Sequence, residues 1–340
     1  MTTPLRTSLL CDDPGELIAA IPGLLRFVPT DSLVLVTYSG QRELHLECVL
    51  RLDIPEPEDA PVVAAHLRLV ALNHAASVIE LVVLCGAAAD PPEPIALPAR
   101  ALVEVLANAF EGAGIVVSHA IWAPGIAPDQ IWRCYEDPDC AGRVRDPVTC
   151  PVTTAVTVAG QVTFATRAEL AGQLTPDPPG DLARRAELIA ALPPAVPEQE
   201  YPYVRDTLDQ LDPAAPVSDV VTLDDATVAR LAHALSNPDI REACLAFALT
   251  VRATAAERVW TALTRATPAP ALAGPATLLA ACAYLRGDGA LAAVALETAR
   301  SADPGHRLAN IVRRIITFGV TPAGFRTMLG QCFAAAFTER

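Results

Sequence analysis

Val78-Ile-Glu-Leu-Val-Val-Leu-Cys85 and Ile115-Val-Val-Ser-His-Ala-Ile121 decide the fold of the first half of this 340-residue chain. Each is a short run nearly continuous in Val, Ile and Leu, the pattern of strands covered on both faces. Upstream, Glu43 to Asp53 alternates instead. Leu44, Leu46, Cys48, Leu50 and Leu52 fall on one face, and His45, Glu47, Val49, Arg51 and Asp53 on the other, which predicts a strand wet on one side. Ser32 to Tyr38 predicts its partner across a turn at Ser39 and Gly40, and Glu16 to Phe27 predicts a short helix interrupted by Pro22. Pro61 to Ala76 and Leu97 to Glu111 carry apolar residues at the three- and four-residue spacing of helices. The order helix, hairpin, helix, strand, helix, strand predicts an α/β sandwich domain with a mixed sheet over residues 1–173.

Residues 174–216 are rich in Pro and predict a linker with one helix, Asp181 to Leu192. Beyond it, residues 217–340 show helical periodicity and predict an all-α domain of five or six helices. Helix starts are marked chemically. Thr254 with Glu257 and Thr166 with Glu169 have capping-box spacing, and Asn237 before Pro238 and Thr321 before Pro322 are cap-and-first-turn pairs. Leu279, Gly287, Ala292, Ala299 and Pro304 stand at the offsets of a tetratricopeptide helical hairpin. A solenoid needs about three such units and only one is visible, so an irregular bundle with one repeat-like hairpin is expected.

Apolar residues make up 52% of the chain and charged residues 19%, which excludes a disordered polymer. All 25 basic residues are Arg. Without Lys, a P-loop lysine, a Schiff-base lysine and a kinase-type lysine are each impossible. A net charge of −14 argues against a nucleic-acid or anionic-membrane surface. The last forty residues are the exception, with Arg307, Arg313, Arg314, Arg326 and Arg340 against Asp303 and Glu339. Met1 to Cys11 is too short in apolar residues for a secretory signal, and the apolar segments reach about half a bilayer span. Nine Cys is an odd number, with Cys48, Cys85, Cys244 and Cys282 inside apolar runs, which fits a reducing compartment. A cytoplasmic location is expected.

Two constellations could carry chemistry. Trp132 to Cys150 holds Cys134, Cys140 and Cys150 in a segment whose Pro138, Gly142 and Pro147 predict a loop. Such thiols could hold a soft metal or cycle redox equivalents. Their gaps differ from zinc-site spacing, so no metal is assigned and a covered loop with Trp132 packed on the sheet is the plainer reading. Asp31 and Ser32 precede or open the first strand, and Arg51 and Asp53 share a face at the end of the second, where a guanidinium and a carboxylate could meet a ligand. A turn acceptor and a solvated ion pair explain the same residues. His66 and His74 are eight apart, twice the usual ligand spacing. Neither a G-x-G-x-x-G, a G-x-S-x-G nor an H-E-x-x-H is present.

These landmarks in order resemble the bacterial family called domain of unknown function 4192, found mainly in actinobacteria. The resemblance rests on Pro14-Gly-Glu-Leu-Ile-Ala-Ala-Ile-Pro-Gly-Leu-Leu-Arg-Phe-Val-Pro-Thr-Asp-Ser-Leu-Val-Leu-Val36, Arg51-Leu-Asp-Ile-Pro55, the Trp132 to Cys140 segment and Tyr284-Leu-Arg-Gly-Asp-Gly-Ala-Leu-Ala-Ala-Val-Ala-Leu296, and is nearly full length. It implies no activity. The sequence leads to a non-catalytic binding or scaffold protein that meets a protein partner through its helical half, with no cofactor, membrane or nucleic acid. The alternative is a thiol- or metal-dependent enzyme with its site at the Cys134 to Cys150 segment.

Overall fold

The computed structural model describes residues 13–40, 43–86, 97–158 and 161–338, so the reading of Met1 to Cys11 lies outside the described residues. The chain divides into two compact units. One comprises residues up to Glu169 together with Phe318–Val320, and the other comprises the remaining residues from Leu170.

In the first unit, helix α1 (Pro14–Leu25) is followed by β1 (Ser32–Ser39), β2 (His45–Asp53), α2 (Ala60–Asn73), β3 (Val78–Leu84), α3 (Arg100–Glu111), β4 (Val116–Ala123), β5 (Ile131–Cys134), β6 (Ala141–Arg143), α4 (Pro151–Val158) and the start of α5 (Arg167–Gly172). The six strands form one sheet in the order β2-β1-β3-β4-β5-β6, with β3 and β4 parallel and every other neighbouring pair antiparallel. The predicted mixed sheet is present. The long apolar runs occupy its centre, and the alternating β2 forms an edge. Period-two alternation puts Leu33, Leu35, Ile79, Leu81, Val83, Ala120 and Trp122 on one face, where they pack with Leu67 and Ala71 of α2 and Leu106 and Phe110 of α3. Val34, Val36 and Val82 lie on the opposite face and are equally buried. Helix α1 starts where Asp13 accepts from the Gly15 N–H at 2.8 Å, and it touches β2 and β6.

The segment expected to be a loop is a correction. Residues 131–143 form a β-hairpin that extends the sheet, pairing Ile131 with Arg143, Trp132 with Gly142 and Arg133 with Ala141. Pro138 falls in its turn and Gly142 in a strand, so these breakers delimit a hairpin rather than an irregular loop.

The second unit is helical: α6 (Pro179–Ala190), α7 (Pro197–Asp209), α8 (Asp225–Ser236), α9 (Pro238–Cys244), α10 (Ala253–Ala266), α11 (Ala273–Arg286), α12 (Gly289–Ala302), α13 (Arg307–Thr317) and α14 (Pro322–Thr338). The Pro-rich stretch carries α7 as well as the expected helix, and both α6 and α7 pack on α8. Pro179 and Pro197 sit in the first turns of α6 and α7, where the missing N–H costs nothing, while Pro202 lies inside α7. Asn237 caps α9 through the Asp239 N–H at 2.9 Å, and Thr321 caps α14 through the Gly324 N–H at 2.9 Å. Thr254 and Glu257, by contrast, lie inside α10. Every residue of α11 except Arg286 is buried. Ala280 and Ala283 of α11 and Ala292, Ala295 and Ala299 of α12 are all buried, small enough to let these two contacting helices approach closely. Among the described residues, no helix is long and apolar enough to cross a membrane.

Candidate functional site

The strand ends bring Asp31, Ser32, Arg51 and Asp53 together as the alternation of β2 requires. Ser32 pairs with Asp53 across the hairpin. Ser32 Oγ donates to the Thr30 carbonyl at 2.6 Å and accepts from Arg51 Nε at 2.7 Å, while Arg51 Nη1 meets Asp53 at 2.6 Å. Asp31 takes the left-handed backbone of a tight turn, φ 45°. Asp53 is 86% exposed, so the ion pair is screened by water and the guanidinium chiefly fastens the entry into β1.

On the hairpin, Trp132 is buried and acts as a wedge. Its indole lies against Gly142, where an added Cβ would approach the ring to 2.7 Å. It also reaches the first turn of α1, where a Cβ on Gly15 would run into the Arg143 carbonyl oxygen and come within 3.1 Å of Trp132 Nε1. The Gly15 carbonyl accepts from the Arg145 N–H, and the Arg145 guanidinium meets Asp13 at 2.8 Å. Cys134 and Cys140 face each other across β5 and β6, with the Cys134 N–H donating to the Cys140 carbonyl at 2.9 Å. Cys150 packs elsewhere, with Ala19, Ala20 and Val152 between α1 and α4. Two of the three thiols therefore meet and the third does not. Among the described residues, no group of three or more His, Cys, Asp and Glu side chains is placed to hold a metal ion.

A polar row on the same sheet face was not legible from spacing. Glu80 interrupts the apolar run of β3 and is buried, with Tyr38 Oη donating to its carboxylate at 2.7 Å and His119 Nδ1 in ion-pair contact at 3.4 Å. Pairing explains the convergence, because Glu80 stands opposite Val36 on β1 and His119 on β4. Each side of the row carries a bulge. The β1/β2 register slips after Thr37 and the β3/β4 register after Ile79, re-aiming side chains at both flanks. Continuing the β4/β5 register from Ile121 and Cys134 places Glu136 opposite His119. The Glu80 carboxylate holds the His119 imidazole above its ordinary value against the opposing effect of burial, and Glu136 adds to the rise. A proton titration of His119 by NMR is expected to show a midpoint above about 6.5, and Glu80→Gln should lower it. The sign follows: stability from this pair is fully present below the unfolded value and is lost as pH rises through the raised folded value. An unchanged His119 midpoint in Glu80→Gln would remove the pair from the account.

A profile of the family described as "Domain of unknown function (DUF4192)" matches residues 14–323. The chain belongs to the DUF4192 family. Neither a curated protein nor a solved structure matches it. In DUF4192 terms the match takes in the Asp31 to Asp53 corner, the Trp132 wedge, the Glu80 row and nearly all of the helical unit.

The helical unit of this DUF4192 protein holds a buried ionic cluster and an open groove. Glu257 and Asp288 are almost fully buried, and Arg286 of α11 bridges them at 2.7 and 3.1 Å. Asp288 also accepts from the Leu291 N–H at 2.9 Å, capping α12. Glu257, whose spacing suggested a helix cap, is thus the carboxylate that ties α10 to α11. Between α7 and α9, a groove of about 410 Å³ is lined by Pro197, Glu198, Tyr201, Pro202, Asp239, Ile240 and Ala243. Tyr201 is held flat by stacking on Phe247, with ring centroids 5.5 Å apart. Glu198 and Asp239 are exposed on its rim, whereas Arg230 nearby is already committed to Glu200 at 2.9 Å and to the Tyr203 ring. Charge is segregated along this part of the chain: residues 170–250 hold 13 acidic and 5 basic residues, and residues 251–340 hold 5 acidic and 10 basic ones.

Proposed function

We propose that this protein is a cytoplasmic, non-catalytic binding protein whose helical unit takes a short cationic peptide segment of a protein partner in the groove between α7 and α9. The observation that carries the reading is the groove itself: a stacked Tyr201 and two prolines beside Ile240, rimmed by the Glu198 and Asp239 carboxylates. Such a surface suits an apolar side chain flanked by Arg or Lys, because the apolar part is desolvated against Tyr and Pro while the cation meets the rim acids. The acidic character of residues 170–250 extends the same field. A tetratricopeptide-like pairing of α11 with α12 supports the reading by backing one groove helix, α9, which α11 touches.

The test is selection of phage-displayed random nonapeptides on the intact chain. Enriched sequences are expected to carry Arg or Lys next to a large apolar residue, and the doubly reversed variant Glu198→Arg/Asp239→Arg, with unchanged circular dichroism and melting, should lose retention at least tenfold. Enrichment of acidic peptides, or equal retention on the variant, would sink the reading. The enzyme alternative has one observation in its favour, the opposition of Cys134 and Cys140, and the position of Cys150 removes the third ligand from it.

A further inference from the structure

We propose that Cys134 and Cys140 form a reversible intrachain disulfide by exchange with a low-molecular-weight disulfide, clasping the base of the 135–139 turn. The pair continues the hairpin register one step beyond Arg133 and Ala141, where one cross-strand bond joins it, from the Cys134 N–H to the Cys140 carbonyl, while the Cys140 N–H turns to the Asp137 carbonyl. Residues opposite each other on antiparallel strands stand with Cα atoms about 4.5–5.5 Å apart and side chains on one face, inside the span of about 4.4–6.8 Å that a disulfide bridges. The Cys134 thiol also bears on the Cys140 thiol, raising it.

Burial assigns the order of events, because Cys140 is half-buried and Cys134 is buried. The Cys140 thiolate attacks one sulfur of the small disulfide, forming a mixed disulfide and releasing one small thiolate. The Cys134 thiolate then attacks Cys140 Sγ, forming the intrachain bond and releasing the second. The two protein protons end on the two released thiols, so the small disulfide is reduced as the protein pair is oxidised. Burial, the Cys134 thiol and the Asp137 carboxylate raise the Cys140 thiol, so exchange is slow at neutral pH and quickens as pH rises. Residues 135–139 include Tyr135, whose N–H donates to the Ala120 carbonyl, and Glu136, which faces His119. The clasp therefore closes the turn that brings a charge to the polar row.

Full-length protein would be equilibrated in mixtures of oxidised and reduced glutathione, acid-quenched, alkylated, digested with trypsin and mapped by mass spectrometry. Cleavage after Arg133 and Arg143 puts both thiols in one peptide, 134–143. In oxidising mixtures that peptide is expected to be about two mass units lighter and to take no alkyl group, returning to the doubly alkylated form in excess thiol. Cys134→Ser should leave Cys140 carrying a glutathione adduct, and Cys140→Ser should leave Cys134 unmodified. In a parallel sample alkylated natively before the quench, buried Cys244 and Cys282, raised by burial, report unfolding if they are labelled. A wild-type peptide that carries glutathione or stays doubly alkylatable throughout would overturn the proposal, as would closure seen only once Cys244 and Cys282 react.

Discussion

Arg286→Met is expected to destabilise the helical unit by about 3–5 kcal/mol, because it takes from two buried carboxylates the guanidinium they share. Burial by itself would lower the Arg286 guanidinium, yet Glu257 and Asp288 together hold it above its ordinary range. Removing the cation takes the Arg286 ion pair from Glu257 at 3% side-chain exposure and from Asp288 at 2%. Hydrogen exchange of peptides from α10, α11 and α12 in the intact protein measures the loss, which should fall on the helical unit and spare the central strands β1, β3 and β4. A companion variant separates lost pairing from lost packing. Glu257→Gln/Arg286→Met/Asp288→Asn should recover part of the stability, since the two buried charges are gone and Asn still caps α12 through the Leu291 N–H. Equal exchange in wild type and Arg286→Met would contradict the buried-charge account.

Trp132→Ala is expected to cost the α/β unit a similar amount, about 3–5 kcal/mol, the usual penalty for deleting a buried large aromatic ring. The ring fills the space left by two absent side chains, at Gly15 on α1 and Gly142 on β6. Its removal thus loosens the hairpin and the first turn of α1 together. Exchange should rise in peptides covering 13–25 and 131–145 while α10 to α12 stay protected. Faster exchange confined to the hairpin would show that the wedge does not reach α1.

The backbone framework was legible because it rests on local periodicity. The continuous runs at Val78 and Ile115 and the alternation through Glu43 to Asp53 mark strands whether or not their neighbours are known. Arg51 and Asp53 could likewise be placed on one side by counting. Glu80 could not, because its role depends on which residues stand opposite it, and its pairing with β4 slips by one position at a bulge beside it. The hairpin at 131–143 was hidden for a related reason: strands of four and three residues are too short for a periodic signal, and their Pro and Gly read as loop formers. Cys134 and Cys140 were visible as a spacing, but only the register makes them neighbours. Glu257 misled because Thr-x-x-Glu is equally a cap and an accident inside a helix, and its partner Arg286 is 29 residues away. A glutamate or asparagine signal on its own does not say which neighbour answers it.

Helix α11 also sets where this protein can change over generations. With neighbours on almost every side and Ala or other small residues at most contacts, nearly any enlargement of a side chain there must displace an adjoining helix. Exposed positions on α7 and α9 carry no such penalty. Drift is therefore free to rewrite the exposed faces of α7 and α9 while α11 stays fixed, so that surface can change over generations without passing through an unfolded ancestor.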